Sequence, residues 1–182
     1  QTALLIEGAR RIGKSTLVRQ FAQNEYKSFV LFDFSKVSKE EKTLFDDLSD
    51  IDYFFTRLRL LKGVTLYERE SVIVFDEVQK YPIARQAIKA LVQDGRYDYI
   101  ETGSLISIHK NVEHIIIPSE EDVLGMYPMD YEEWMWAMGK ENGYADMQTA
   151  LQKKHGFGDD VNRKLMRDFR LYMLVGGMPQ AV

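Results

Sequence analysis

The fold of this chain is decided by the stretch Gly8-Ala9-Arg10-Arg11-Ile12-Gly13-Lys14-Ser15. The stretch fits the template G-x-x-x-x-G-K-[ST] without a mismatch. An apolar run over residues 3–6 precedes it, and a segment with helical periodicity over residues 15–23 follows it. A glycine-rich loop between a strand and a helix lets backbone amides and the helix N-terminus surround a polyphosphate. The sequence therefore predicts a site for a nucleoside triphosphate.

Two side chains of this loop have expected roles beyond shaping the backbone. Lys14 is expected to reach the outer phosphates, and the Ser15 hydroxyl is expected to ligate Mg²⁺. The whole loop and the residue after it are predicted to bind the nucleotide, and they are Gly8, Ala9, Arg10, Arg11, Ile12, Gly13, Lys14, Ser15 and Thr16.

The composition narrows the class of protein. The 182 residues are 45% hydrophobic and 29% charged, with a formal net charge of −4. These values are ordinary for a globular chain with a buried core, and they argue against wholesale non-specific binding of nucleic acid. The chain has no cysteine, which excludes disulfides, zinc thiolate sites and thiol catalysis within it. No apolar run approaches the roughly 18 residues of a membrane span, and we expect a cytoplasmic protein without a membrane partner.

Short apolar runs alternate along the chain with segments of helical periodicity. We predict strands at residues 3–6, 29–32, 72–75, 97–101 and 114–117, and helices at residues 15–23, 39–61 and 82–92. Strands without polar alternation, separated by helices, are typical of a parallel sheet covered on both faces. After Pro118 we expect helices only, at residues 130–137, 145–153 and 160–175. The predicted organisation is an α/β core over residues 1–125 and a small helical annex over residues 126–182.

The third predicted strand ends in two acids, Asp76 and Glu77. In P-loop proteins an Asp at this place holds the Mg²⁺ that the loop hydroxyl also holds, and an adjacent Glu is placed to deprotonate the attacking water. We predict Ser15 and Asp76 as metal ligands, and Glu77 and Lys14 as catalytic residues. Acids also stand at strand ends simply because they meet solvent there. Behind a complete phosphate loop the pair favours a hydrolytic ATPase over a small-molecule kinase.

The fourth predicted strand leads into Thr102-Gly103-Ser104. Hydroxyls at the carboxyl end of a central strand lie beside the phosphate crevice. We therefore expect Thr102 or Ser104 to sense the γ-phosphate or to position the water, with Thr102 as the predicted catalytic residue. The alternative is that Ser104 caps a following helix. A guanine-reading Asn-Lys-x-Asp sequence is absent, which favours ATP over GTP.

Five motifs occur in one order along the chain. They are the loop at residues 8–15, Phe75-Asp76-Glu77-Val78-Gln79, Thr102-Gly103-Ser104, the segment MYPMDYEEW at residues 126–134, and Gly176-Gly177-Met178-Pro179. Together they resemble the AAA-14 family of prokaryotic AAA-type ATPases over essentially the whole chain. The resemblance implies an ASCE-type P-loop fold, with five parallel strands in the order 5-1-4-3-2 and an extra strand between the two phosphate motifs. It also implies a C-terminal DUF4143 domain, similar to restriction-type nucleases, and we expect these residues to stop short of it.

A more distant similarity to STAND-type ATPase switches implies nucleotide binding by Pro179, because their helical annex carries a Gly-x-Pro near the adenine. The alternative is a helix C-terminus closed by Gly and Pro. Many AAA-14 relatives have a Gly-Arg or Gly-Lys pair shortly before the Tyr-Pro segment, but residues 119–125 contain no basic side chain. Arg10 and Arg11 are the candidates to supply that charge, and we expect slow turnover or turnover that needs a partner.

Two helical faces in the annex are expected to be structural. Tyr131, Trp134, Met135 and Met138 recur at helical spacing, which predicts a packing face. The last predicted helix carries a row of basic side chains, Arg163, Arg167 and Arg170. We interpret this row as a solvated face, with phosphate sensing or nucleic-acid contact as the alternative.

The features together predict an ATPase with ATP and Mg²⁺ as cofactors. It would couple its nucleotide state to the missing C-terminal domain or to an unknown protein partner. A nucleotide-gated switch with little hydrolysis and a nucleic-acid-processing ATPase module remain as alternatives, and a P-loop kinase is a weaker one. A strong salt dependence of stimulation by DNA or RNA would distinguish the nucleic-acid module.

Overall fold

The computed structural model describes residues 2–104 and 121–182. The chain divides into two compact units, Gln1–Met126 and Tyr127–Val182. The first unit is built on five strands, β1 Ala3–Gly8, β2 Ser28–Asp33, β3 Ser71–Asp76, β4 Asp98–Ser104 and β5 Glu121–Met126. All are parallel, in the order β2-β3-β4-β1-β5. The predicted fold and strand order are confirmed. Strand β4 lies between β1, which precedes the glycine-rich loop, and β3, which ends at Asp76.

The position of the fifth strand corrects the sequence analysis. The strand predicted at residues 114–117 lies outside the described residues, whereas β5 occupies a segment where no strand was expected. In the described part of the chain β5 pairs with β1, at the edge of the sheet. Four of its six residues are exposed, and it begins with Glu121-Asp122. An edge strand with little burial needs no continuous apolar run, so the pattern that identified the other strands was missing.

Four α-helices lie in the part of the first unit that the structure describes. They are α1 Lys14–Glu25, α2 Lys39–Lys42, α3 Ile51–Lys62 and α4 Pro82–Asp94. Pro82 starts α4 as expected, since its fixed φ suits the first helical turn. The single helix predicted at residues 39–61 is wrong, because a 3₁₀ turn at Thr43–Phe45 and a loop separate α2 from α3.

Short polar side chains explain that break. The Ser38 hydroxyl accepts a hydrogen bond from the Glu41 amide in a capping box that starts α2. Asp47 accepts from the Ser49 amide at 2.9 Å, and Asp50 accepts from the Tyr53 amide at 2.9 Å. Asp and Ser bond their own backbone in this way, which favours turns and helix starts over helix interiors. The apolar marks at helical spacing therefore belong to two separate helices.

The sheet is covered on both faces. One face and helices α3 and α4 bury an aromatic cluster that includes Phe32, Phe54 and Phe75. The other face packs on α1 through Val18 and Ala22. Because side chains alternate along a strand, neighbouring residues at the end of β3 and β4 point to opposite faces. This alternation puts Asp76 and Thr102 on the α1 face, and it puts Glu101 on the α4 face.

Three helices make up the described structure of the second unit, α5 Tyr131–Ala137, α6 Gly143–Gln152 and α7 Gly158–Val175. Asp130 and Glu133 form a capping box at the start of α5. Trp134 and Met135 are buried, as the predicted packing face requires, but Met138 is 41% exposed and lies outside it. None of the helices in residues 2–104 and 121–182 is long and apolar enough to cross a membrane.

Candidate nucleotide-binding site

The loop between β1 and α1 is shaped by close backbone contacts. A Cβ atom on Gly8 would lie 2.1 Å from the Met126 carbonyl oxygen of β5 and 2.8 Å from Ile12 Cδ1. Arg11 and Gly13 both have positive φ, at 66° and 99°. A left-handed conformation at a non-glycine residue such as Arg11 costs on the order of 1–3 kcal/mol, and such strain is concentrated at functional sites. No side chain caps the first turn of α1, so its amides point into the loop.

Lys14 is a buried cation at the base of this loop. It is 5% exposed, and its Nζ donates to the carbonyl oxygens of Gly8 at 3.0 Å and Ala9 at 2.6 Å. Burial lowers the pKa of Lys14, and the carboxylates of Glu77 and Asp76 oppose that shift. The amine therefore lies between the loop carbonyls and the strand-end acids. A phosphate in the loop would offer it a stronger acceptor than the two neutral carbonyls.

Two hydroxyls converge on the carboxylate of Asp76. Ser15 Oγ donates to Asp76 Oδ1 at 2.8 Å, and Thr102 Oγ1 donates to the same oxygen. Asp76 is 6% exposed and Thr102 is fully buried. The contact forms because β3 and β4 are neighbours and α1 begins beside their carboxyl ends. The structure thus brings together both predicted metal ligands, Ser15 and Asp76, and the predicted catalytic Thr102.

The donor set fits magnesium. A hydroxyl and a carboxylate are the hard oxygen ligands that Mg²⁺ prefers, and Mg²⁺ in nucleotide sites takes its other ligands from phosphate and water. The residues that the structure describes contain no cluster of three or more His, Cys, Asp or Glu able to hold a metal ion without such help. The site therefore suits a metal that arrives with a phosphate.

Glu77 is held in an unusual backbone conformation. Its φ and ψ are 58° and 44°, in the left-handed region. Its amide donates to Thr102 Oγ1 at 3.2 Å, so Thr102 holds Asp76 through one contact and Glu77 through another. Gln79 Nε2 donates to Glu77 Oε2 at 2.6 Å. Sequence reasoning placed Gln79 in a family motif without giving it a contact, because that contact depends on the backbone turn at Glu77.

A buried charge cluster lies on the opposite face of the sheet. Arg85 of α4 makes a two-pronged ion pair with Glu121 of β5, with distances of 3.1 and 2.7 Å. Glu101 of β4 is fully buried beside them. Burial, followed by the Glu121 carboxylate, raises the pKa of Glu101 well above its ordinary value. Sequence analysis did not predict this cluster. Its ion pair links β5 to α4, and β5 is also the strand whose Met126 carbonyl lies against Gly8.

Two family motifs meet within the second unit. The amide of Met129 donates to the Gly177 carbonyl at 2.8 Å, and a Cβ atom on Gly177 would lie 1.9 Å from the Met129 oxygen. The Tyr172 hydroxyl donates to the same oxygen at 3.2 Å. This close contact therefore requires a glycine at position 177. The last helix ends at Val175 with Gly176 as its C-cap, which agrees with the alternative interpretation of this segment as a helix C-terminus. Pro179 is exposed, and its assignment to the adenine stays a prediction.

An open cavity of about 490 Å³ also lies within the second unit. Its lining is mainly apolar and includes Tyr131, Tyr144, Met147, Phe157, Met166 and Phe169. The basic row at Arg163, Arg167 and Arg170 is exposed on α7. Arg163 pairs with Asp160 one turn earlier. The lining also includes the polar side chains of Gln148, His155 and Asn162.

The family model of AAA-14, an AAA domain, matches residues 1–135. The chain belongs to the AAA-14 family. The match includes the loop, the strand-end acids and β4, which are the elements that carry the candidate site. Nucleotide binding by a P-loop module of the ATPase type follows from this membership and from the fold.

Several solved structures are similar to this AAA-14 chain. The Thermotoga maritima RuvB Holliday junction branch migration motor is 13% identical with a TM-score of 0.44, over 80% of this chain and 44% of that one. Hsp104, in a closed state with ATPγS and FITC casein, is 12% identical with a TM-score of 0.43, and the match covers 80% of this chain and 28% of that one. PCH-2 of C. elegans is 13% identical with a TM-score of 0.40, and the match covers 87% of this chain and 42% of that one.

A curated relative is the aspartyl protease UND of Arabidopsis thaliana. It is 22% identical over 171 residues, which is 93% of this chain and 39% of that protein. The AAA-14 chain thus spans less than half of the length of the relative and of each solved structure above. Protease activity does not transfer at this identity.

Proposed function

We propose that this AAA-14 domain binds Mg-ATP and hydrolyses it. The observation that carries the proposal is the convergence of Ser15 and Thr102 on Asp76, with Glu77 next in the chain. These groups stand beside Lys14 and the uncapped start of α1. A hydroxyl, two acids and a lysine at one edge of a parallel sheet are the parts that phosphoryl transfer to water requires.

The residues divide the chemistry among them. The loop amides and Lys14 hold the phosphates, and Lys14 exchanges its two carbonyl acceptors for phosphate oxygens. Ser15 and Asp76 would hold Mg²⁺, which when bound neutralises charge on the β- and γ-phosphates. Thr102 keeps the Asp76 carboxylate in place. Glu77 accepts the proton of the attacking water, whose oxygen bonds to the γ-phosphorus as the bond to ADP breaks.

Calorimetry with Mg-ATP tests the binding step. Lys14→Ala is expected to weaken binding by about 10- to 150-fold, because hydrogen bonds to a charged group contribute roughly 1.5–3 kcal/mol. Arg19→Ala removes a cation from the exposed side of the same helix and serves as the matched control. Equal affinity of the Lys14 variant and the wild type would contradict the proposed site.

Phosphate release under steady-state conditions tests the chemical step. Glu77→Gln is expected to slow turnover by about 10²- to 10⁴-fold, the usual contribution of a general base, and to leave ATP binding intact. If Glu77→Gln releases phosphate as fast as the wild type while ATP still binds at Lys14, the domain is a nucleotide-gated switch and the hydrolytic assignment is wrong.

The proposal extends to the partner. The domain would pass its nucleotide state to a C-terminal region such as the DUF4143 domain of its family, in the cytoplasm. Arg10 and Arg11, both exposed in the loop, are the cations that we propose offset the missing basic residue at 119–125. Turnover of this domain alone is therefore expected to be slow, and it is expected to rise when such a C-terminal region is present.

A further inference from the structure

Gln79 is a buried polar residue in direct contact with the candidate base. Its side chain is 7% exposed, and its Nε2 lies 2.6 Å from Glu77 Oε2 and 3.5 Å from Ser104 Oγ. A hydrogen bond of this length to a carboxylate is charge-assisted and roughly twice as strong as one between neutral groups. The amide therefore restricts where the Glu77 carboxylate can point.

A rigid element carries this amide. The left-handed backbone at Glu77 turns the chain into the 3₁₀ turn Val78–Lys80, which returns residue 79 towards residue 77. Val78 is fully buried in the core, and the Lys80 amide donates to the Glu77 carbonyl at 2.9 Å. Side chains on fixed elements orient their partners better than those on free loops. The strained backbone and the amide together determine the direction of one carboxylate.

We infer that Gln79 is a positioning residue, which holds Glu77 Oε2 so that Oε1 faces the attacking water. The inference rests on the proposed ATPase activity. In the chemical step Oε1 accepts the water proton, the water oxygen bonds to the γ-phosphorus, and the bond to the bridging oxygen of ADP breaks. In this role Gln79 acts on the reaction through its hydrogen bond to Glu77 and needs no contact of its own with the nucleotide or the water.

Gln79→Met tests this role, because methionine keeps the length of the side chain and removes the donor. We expect kcat to fall by about 10- to 100-fold, the cost of misplacing a reacting group by roughly 1 Å. KM and the Kd for Mg-ATP are expected to stay within about threefold of the wild type, since Gln79 does not hold the phosphates. Gln86→Met, the same substitution at an exposed position of α4, is the matched control.

A double-mutant cycle separates positioning from general support of the fold. In the Glu77→Gln background the base is gone, so adding Gln79→Met is expected to change single-turnover hydrolysis by less than about twofold. A residue that only stabilised the site would slow hydrolysis to the same extent in both backgrounds and would also weaken ATP binding. An equal fall in both backgrounds therefore overturns the inference.

Gln79→Glu gives a second variant in case the methionine variant does not fold, which thermal melting reports. It preserves the shape of the side chain and places a like charge against Glu77 Oε2, so kcat is expected to fall at least as far. The inference is overturned if the wild-type protein shows turnover that depends on Glu77 and a folded Gln79 variant has the same kcat as the wild type. A wild-type protein that releases no phosphate would instead refute the proposed function, and the inference with it.

Discussion

Replacing Arg85 by methionine is expected to lower the free energy of unfolding by about 3–5 kcal/mol, the usual cost of removing one partner from a buried ion pair. The exposed fractions of the Arg85 and Glu121 side chains are 6% and 2%. The variant leaves the Glu121 carboxylate without a counter-charge and next to the fully buried Glu101. It also releases β5 from α4, while the edge strand keeps its pairing to β1.

The size of this effect depends on burial rather than on the ion pair as such. An exposed pair of the same geometry is worth about 0–1 kcal/mol, because water replaces the lost partner. Water hardly reaches the Glu121 side chain, so in the variant its carboxylate stays buried without a counter-charge unless the strand moves. Burial disfavours the charged guanidinium, but Glu121 and Glu101 raise the pKa of Arg85 above its ordinary value. The Arg85 guanidinium is therefore the group that compensates the two buried carboxyl groups of this cluster.

Urea denaturation followed by far-UV circular dichroism measures the change. With a slope of about 1–3 kcal/mol per molar urea, the midpoint is expected to fall by at least about 1 M. Both tryptophans, Trp134 and Trp136, lie in the second unit, so their fluorescence does not report directly on β5. Lys89→Met removes an exposed cation from the same helix and is expected to cost less than about 0.5 kcal/mol.

The double variant Arg85→Met/Glu121→Leu completes the test. Replacing a buried ion pair by apolar groups is often neutral or stabilising, so the double variant is expected to recover most of the lost free energy. Two results would refute the reasoning. One is an Arg85→Met protein within about 1 kcal/mol of the wild type, and the other is a double variant no more stable than the single one.

Three further variants test other contacts. Because the pKa of Glu101 is raised, the folded protein holds a proton that the unfolded chain releases. The free energy of unfolding therefore falls as the pH rises from the ordinary pKa of a glutamate through the pKa of Glu101 in the folded state. Glu101→Gln is expected to remove this fall of up to about 1.4 kcal/mol per pH unit, which urea titrations at several pH values measure. Thr102→Val removes the hydroxyl that donates to Asp76 and is expected to lower kcat by about 10-fold or more in phosphate-release assays, whereas Thr102→Ser retains activity. Gly8→Ala places a Cβ atom 2.1 Å from the Met126 carbonyl and is expected to abolish Mg-ATP binding in calorimetry, with a thermal midpoint below that of the wild type.

The elements that the sequence predicted well are those with a local physical cause. The loop at residues 8–15 needs its glycines for backbone reasons that the sequence displays directly. The strand that ends at Asp76 contains a continuous run of four β-branched and aromatic residues at 72–75, and all six of its positions are buried. The strand order came from the family resemblance, and the pairing of β1 with β4 and β5 confirms it.

The features that sequence reasoning missed depend on distant partners. Arg85, Glu101 and Glu121 come from three separate elements, and nothing in their spacing distinguishes them from surface charges. The contact between Gln79 and Glu77 requires a left-handed backbone at a glutamate, which residue type alone disfavours. Strand β5 is likewise held by its pairing with β1 and by the ion pair between Arg85 and Glu121. Because neither contact needs a run of apolar residues, the hydrophobic pattern of the sequence did not reveal this strand.

The loop lysine and the strand-end acids form one electrostatic unit. Burial lowers the pKa of Lys14, and the carboxylates of Glu77 and Asp76 oppose this shift. Neutralising Asp76 would therefore remove the proposed metal ligand and also one of the two carboxylates that oppose the lowering of the Lys14 pKa. Substitutions at such coupled groups are not additive. The order of the parallel strands brings Asp76 and Glu77 close enough to Lys14 to oppose the effect of burial on its pKa, so we expect a substitution at either acid to change the surroundings of the lysine as well.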